Sequence, residues 1–272
     1  MGLSSKILGV VTLLYVSLFF VHIIYLVTKE KGALKAAWLL LYVTFGLHTL
    51  GIIGRWVESY SLGIGHAPLS NYYESLIFFA WCVALVVILM RRKLNAPIVN
   101  TLATLGCFSI LALASLNPAV DRSIQPLVPA LQSNWLHVHV FTCFIAYAAF
   151  GISCVCGILY LFNGKGIVPP RDKMEEMSYQ SIMVGFPMLS AGILTGAVWA
   201  HYAWGTYWSW DPKETWSLIT WIIYALFLHA RFSRGWRGTR VAVLSIVGFL
   251  SVLFTYYGVN FFLSGLHSYG AS

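Results

Sequence analysis

The residues in this chain able to do chemistry are eight histidines, five cysteines and a tryptophan-rich segment. Imidazole is the commonest metal ligand. A hydrolytic zinc or iron centre normally adds carboxylates or a close pair such as H-E-x-x-H, and the one close pair here is His137-x-His139. Two such residues on a helix point about 200° apart, so they cannot both face one pocket. The cysteines Cys82, Cys107, Cys143, Cys154 and Cys156 form neither C-x-x-C nor C-x-x-C-H. They read as small buried hydrophobes, so the chain neither exchanges disulfides nor tethers a group through its thiols. Segment 204–216, W-G-T-Y-W-S-W-D-P-K-E-T-W, sets Trp204, Trp208 and Trp210 beside Asp211 and Glu214. Asp211 with Glu214 three residues on, and Pro212 between them, reads as a capped helix start; Asn71-Tyr-Tyr-Glu74 reads the same way. Asp211 and Glu214 are thus equally legible as a local cap and as ligand-facing groups, and a rigid cap would also fix the loop before it.

The elements that must position these residues follow from composition. Of 272 residues 59% are hydrophobic and only 10% charged, with mean hydropathy +0.77. Soluble chains carry roughly 25% charged residues. Apolar runs fall at 7–27, 33–54, 74–90, 97–116, 135–162, 181–203, 217–233 and 241–262. Most are close to the roughly 20 residues that cross a bilayer, and the fifth is longer. The expectation is an all-α polytopic membrane protein, a single membrane domain over 1–272 with about eight transmembrane helices and both termini on one side. The first run reads as a span and not a cleavable signal, being long and lacking an Ala-x-Ala-like end. Lys29, Lys31, Lys35, Arg91, Arg92, Lys93, Lys165, Arg171, Lys173, Arg231, Arg234, Arg237 and Arg240 fall on one side. Only Lys6, Arg55, Arg122 and Lys213 fall on the other. The positive-inside rule makes the first side cytoplasmic and puts the termini outside. The net charge of +8 is therefore a topology signal and not a nucleic-acid footprint.

Depth then sorts the histidines. His66, His137, His139, His201 and His267 fall at or beyond the outer face, His48 lies in the second span toward that face, and His22 and His229 lie in the third nearest the cytoplasm. Intramembrane histidines are costly and count as functional positions, although each also reads as a helix-packing residue. Outer histidines beside a tryptophan-rich loop suit a large flat aromatic ligand of the porphyrin class better than a bare ion.

Residues 204–221, W-G-T-Y-W-S-W-D-P-K-E-T-W-S-L-I-T-W, resemble the tryptophan-rich WWD signature of haem-handling cytochrome c assembly proteins. The D-P-K-E-T-W extension resembles the CcsA (ResC) branch of system II cytochrome c biogenesis. So do G-H-A-P-L-S-N-Y-Y-E at 65–74, L-V-P-A-L-Q-S-N-W-L-H-V-H-V ending at Val140, L-H-A-R at 228–231, and the tail histidine. The likeness covers the chain from about residue 45 onward. It implies a protein that binds haem b non-covalently and delivers it at the outer face for attachment to apocytochrome c. His139 and His267 would clamp the iron, Trp204, Trp208 and Trp210 with Asp211 would form a shelf for the porphyrin, and His229 would ligate haem at a deeper site. His137 offers a second imidazole beside His139, and His22 lies deep enough to complete the His229 site. His201 reads as a gating or supporting group, and His66 has no assigned role.

The resemblance also implies a CcsB/ResB-type membrane partner, an apocytochrome c bearing C-x-x-C-H, and thiol-reducing proteins, with no nucleic acid. The membrane would be a bacterial inner membrane or a thylakoid. Haem-attachment activity of the holocytochrome c synthase kind is expected only of the complex. Two other readings stand beside it, a HemX-like regulator of haem synthesis and a dihaem electron-transfer subunit of the cytochrome b type.

Overall fold

In hydrocarbon no water satisfies backbone N–H and C=O groups, so long apolar runs close their hydrogen bonds internally as helices. The computed structural model describes residues 2–93, 96–162, 166–263 and 265, and among these no strand occurs. The helices are α1 (Leu3–Thr28), α2 (Lys31–Ser61), α3 (Tyr72–Leu89), α4 (Pro97–Leu116), α5 (Asn134–Phe162), α6 (Arg171–Trp204), α7 (Pro212–Arg234) and α8 (Thr239–Leu253). A π-helical turn, Phe254–Gly258, carries α8 on into α9 (Val259–Phe262).

Among the described residues seven helices are long and apolar enough to cross a membrane, α8 to α9 counting as one. The eighth expected span, 217–233, lies within α7, whose 23 residues suffice in length. That helix is less apolar because Lys213, Glu214, Arg231 and Arg234 belong to it. The fifth run was expected to be the longest, but α2 has 31 residues and α6 has 34, against 29 in α5. Apolarity marks only the membrane-depth part of a helix; the polar starts and ends, such as Arg171–Met177, are themselves good helix formers and extend it.

Two compact units emerge, residues 1–128 and 129–272. In the first, α1 packs on α2 and α4, and α3 on α4. Helices meet closely in lipid where side chains are small: a Cβ on Gly51 of α2 would lie 2.8 Å from Leu8 Cδ2 on α1. Glu58 accepts from Ser4 N–H at 2.9 Å and Ser4 Oγ at 2.5 Å. Arg55 and Glu74 form a buried ion pair at 2.7 Å, and Arg55 Nη2 also donates to Arg122 O (2.9 Å) and Ser123 O (3.0 Å). Asn71 caps α3 as expected, accepting from Glu74 N–H at 2.9 Å. The Glu74 carboxylate does not close the box on Asn71; it takes Ser70 N–H and Oγ, both at 2.8 Å, because Arg55 holds its other oxygen.

In the second unit α5 packs against α6 and α8, and α7 against α8. Phe150 of α5 stacks flat on Tyr224 of α7, centroids 3.5 Å apart, and a Cβ on Gly185 of α6 would lie 2.5 Å from the Phe150 ring. At the opposite end from the Trp-rich loop, Arg231 bridges Glu175 (2.6 Å) and Glu176 (3.0 Å) and lies 4.3 Å from the centre of the Tyr179 ring. This joins the start of α6 to the end of α7.

Candidate functional site

The tryptophan-rich loop is built on the first turn of α7. The expected capping box at Asp211 and Glu214 is present, with Pro212 at the first helical position. Asp211 Oδ1 accepts from Lys213 N–H at 2.9 Å, and Glu214 Oε2 accepts from Asp211 N–H at 3.2 Å. The same Glu214 oxygen takes Ser209 N–H (2.8 Å) and Ser209 Oγ (3.2 Å). One carboxylate therefore ties down the loop on both sides of Trp210. Trp210 itself sits at φ +60°, a left-handed conformation costing a non-glycine residue roughly 1–2 kcal/mol. The caps around it offset that cost and leave the residue 68% exposed, with the Trp208 ring edge-on at 5.7 Å. Upstream, Gly205 at φ +80° ends α6, its N–H on His201 O at 2.9 Å. Gly265 also comes here: a Cβ on it would collide with the buried Asp211 carboxylate.

His139 lies in the second turn of α5, facing α6. Its Nδ1 is 2.7 Å from Gly192 O. A carbonyl only accepts, so Nδ1 carries the proton, and in the neutral ring Nε2 bears the lone pair. Ligand histidines are oriented in this way. The ring stacks on Trp199 at 5.7 Å and 20°. Trp199 is 2% exposed, donates its indole N–H to Ala130 O at 2.8 Å, and meets Trp204 edge-on at 5.0 Å. An imidazole and two indoles are thus fixed in series from α5 to the end of α6. The approach depends on glycine: a Cβ on Gly196 would stand 2.6 Å from His139 Nδ1, and one on Gly192 2.5 Å from Cys143 Sγ. Lys213, just ahead of the apolar part of α7, donates from Nζ to Asn260 Oδ1 at 2.9 Å.

The other histidines differ in setting. His137 is half-buried two residues before His139, roughly 200° around α5. His201 is exposed and stacked flat on Tyr207, centroids 4.3 Å apart. His229 is exposed on α7 with Nδ1 3.4 Å from Ser233 Oγ, in line with Ile222 (51% exposed) and Leu226 (49%). In the first unit His22 is buried in α1 and its Nδ1 has no hydrogen-bond partner among the described residues. His48 Nδ1 lies 3.3 Å from Tyr15 Oη. His66 has Nδ1 on Ala67 O and Nε2 on Gln125 O, both at 2.8 Å, which ties two loops together. His267 lies outside the described residues.

Trp199, Gly192 and Gly196 were not singled out in the sequence. Gly192-x-x-x-Gly196 is a small-residue helix-contact pattern and would have been the signal for the last two. As a donor set, an oriented imidazole with indole faces suits a flat aromatic ligand carrying a metal. Among the described residues no group of three or more His, Cys, Asp or Glu converges on a bare ion.

Residues 69–267 match the family described as Cytochrome C assembly protein. The chain is 43% identical over 239 residues to a protein of Chlamydomonas reinhardtii named Cytochrome c biogenesis protein CcsA, covering 82% of this chain and 65% of that one. It is 40% identical over 267 residues to a protein of the same name from Synechococcus sp. (strain CC9902), covering 85% and 86%. In three dimensions it is similar to Cytochrome c Heme Lyase CcmF, with TM-score 0.69 at 17% identity, covering 94% of this chain and 47% of that chain. At that identity the likeness speaks to the fold alone.

Proposed function

The chain belongs to the cytochrome c assembly protein family, and from that premise we propose that it binds haem b and delivers it at the outer membrane face for covalent attachment to apocytochrome c. It acts as the small subunit of a system II complex with a CcsB/ResB-type partner, in a bacterial inner membrane or a thylakoid. The observation that carries this reading is His139, with its proton held on Nδ1 by Gly192 O and its ring stacked on Trp199. Attachment adds the two thiols of an apocytochrome C-x-x-C-H to the vinyl groups of ferrous haem. This chain's residues hold and orient the substrate while that happens.

In the proposal His139, through Nε2, and His267 would hold the haem iron at the outer site. Neutral imidazoles grip weakly enough for the apocytochrome's own histidine to replace one of them. Trp204, Trp208 and Trp210 offer apolar faces to the porphyrin, and Asp211 sets the loop that carries them. The buried state of all five cysteines supports the scheme, because an accessible thiol would compete for the vinyls. His229 is a ligand at a deeper site, and its exposure in line with Ile222 and Leu226 suits completion of that site by the partner.

The test is the reduced-minus-oxidised spectrum of the chain co-purified with a CcsB-type partner, for wild type and the His139→Ala, His267→Ala and His229→Ala variants, with cytochrome c assayed in the same cells. Low-spin haem in wild type, lost from the outer-site variants and restored by added imidazole, is the expected result. A haem-free wild-type complex with normal cytochrome c output would overturn the proposal.

A further inference from the structure

In the first unit, where α2 begins, α3 ends and α4 begins, lies a cavity of about 370 Å³ whose lining includes Lys35, Trp38, Arg91, Arg92, Pro97 and Asn100. Three of these side chains are cationic, no carboxylate lines the cavity, and none of the three is ion-paired among the described residues. Arg91 is held in place: its guanidinium lies 4.4 Å from the Trp38 ring centroid, and Nη1 donates to Tyr42 Oη at 3.0 Å. Asn100 is 4% exposed, and its Oδ1 has no hydrogen-bond partner among the described residues. A buried acceptor without a donor is unfavourable unless something supplies one. The 20-residue helix α4 starts at the same place with no side-chain cap. Pro97 has no N–H, and the N–H groups of Val99 and Asn100 turn back to Ala96 O. The helix end thus adds its dipole but few donors. Leu39, Tyr42 and Val43 lie four, seven and eight residues beyond Lys35 on one face of α2, and they are 66%, 40% and 48% exposed.

Cations, an orphan acceptor and an adjoining apolar face together describe an amphiphile with an anionic group and a hydroxyl donor. We propose that this cavity is a binding site for an anionic phospholipid whose head group carries hydroxyls, phosphatidylglycerol being the simplest. The phosphate sits among Lys35, Arg91 and Arg92, a head-group hydroxyl donates to Asn100 Oδ1, and the acyl chains run along Leu39, Tyr42 and Val43. Basic pockets at the ends of transmembrane helices recognise acidic head groups by these means. The inference stands apart from the haem reading, since it uses none of the residues of that site.

The test is thermal unfolding of the purified full chain in phosphatidylcholine mixed micelles, titrated with phosphatidylglycerol, phosphatidic acid or more phosphatidylcholine. Phosphatidylglycerol is expected to raise Tm most, phosphatidic acid less, and phosphatidylcholine not at all. The Lys35→Gln/Arg92→Gln double variant, in exposed side chains, should lose at least half of the response to both anionic lipids. Asn100→Leu should erase the advantage of phosphatidylglycerol over phosphatidic acid while leaving the Tm in phosphatidylcholine unchanged or higher, because no orphan acceptor remains. Equal responses to all three lipids, or wild-type responses in both variants, would overturn the proposal. So would a double variant that keeps its lipid response but loses haem, which would identify the anion as a porphyrin carboxylate.

Discussion

At the residue scale the role proposed for His139 as a ligand rests on Gly196 carrying a hydrogen where any other residue carries a side chain. Gly196 leaves room for the imidazole to reach Gly192 O, and a Cβ there would stand 2.6 Å from Nδ1 and 2.7 Å from Cε1. Gly196→Ala should therefore swing the ring off its carbonyl. The low-spin haem signal should fall at least fivefold while helicity by circular dichroism is unchanged, and added imidazole should restore it in part. Gly46→Ala, where a Cβ meets nothing within 4 Å, is the control and should behave as wild type. If Gly196→Ala retained full haem, the carbonyl would not be what orients this ligand. His139 was legible in the sequence as a candidate, through H-x-H, its depth and the family resemblance. Its supports were not, because Gly192 and Trp199 lie 53 and 60 residues further on and only helix packing brings them to it.

At the element scale the question is what Asp211 does, because the sequence allowed both a cap and a ligand-facing group. The residue is 6% exposed and its carboxylate accepts from Lys213 N–H at the start of α7, which is the work of a cap. Asparagine caps nearly as well as aspartate, whereas alanine costs about 1 kcal/mol. Asp211→Asn should keep near-normal cytochrome c output, and Asp211→Ala should lower both output and Tm. Glu214→Ala should be worse than either, since one oxygen of Glu214 serves Ser209 N–H, Ser209 Oγ and Asp211 N–H and the strained Trp210 depends on them. Loss of output in Asp211→Asn with an unchanged Tm would assign the charge itself a role with the ligand. The box at 211–214 was readable because each of its contacts is local. That at 71–74 was only half readable, because Arg55, 19 residues away in sequence, claims the Glu74 carboxylate. The helices were legible for a similar reason: each hydrogen-bonds within itself, so hydropathy located all eight. Their polar ends were not, which is why α2 and α6 run longer than expected.

At the scale of the whole molecule the proposal depends on sidedness, because His139 and the tryptophan-rich loop must face the compartment that holds apocytochrome c. By the positive-inside rule, the distribution of thirteen basic residues against four predicts that the loops around residues 119 and 210 lie outside and the turn around residue 234 in the cytoplasm. The chain offers a clean way to check this. All five cysteines are buried, so an impermeant maleimide has little background to react with. Ala119 and Arg234 are exposed, so a cysteine at either position can be reached from its own side only. In spheroplasts or right-side-out vesicles Ala119→Cys should label at once, and Arg234→Cys only after the membrane is permeabilised. The reverse pattern would turn the molecule over. The oriented imidazole and the Trp210 shelf would then face the compartment where haem is made and not the one where it is attached. No choice of ligands could rescue delivery, and the protein would have to be a haem sensor or regulator on the cytoplasmic side.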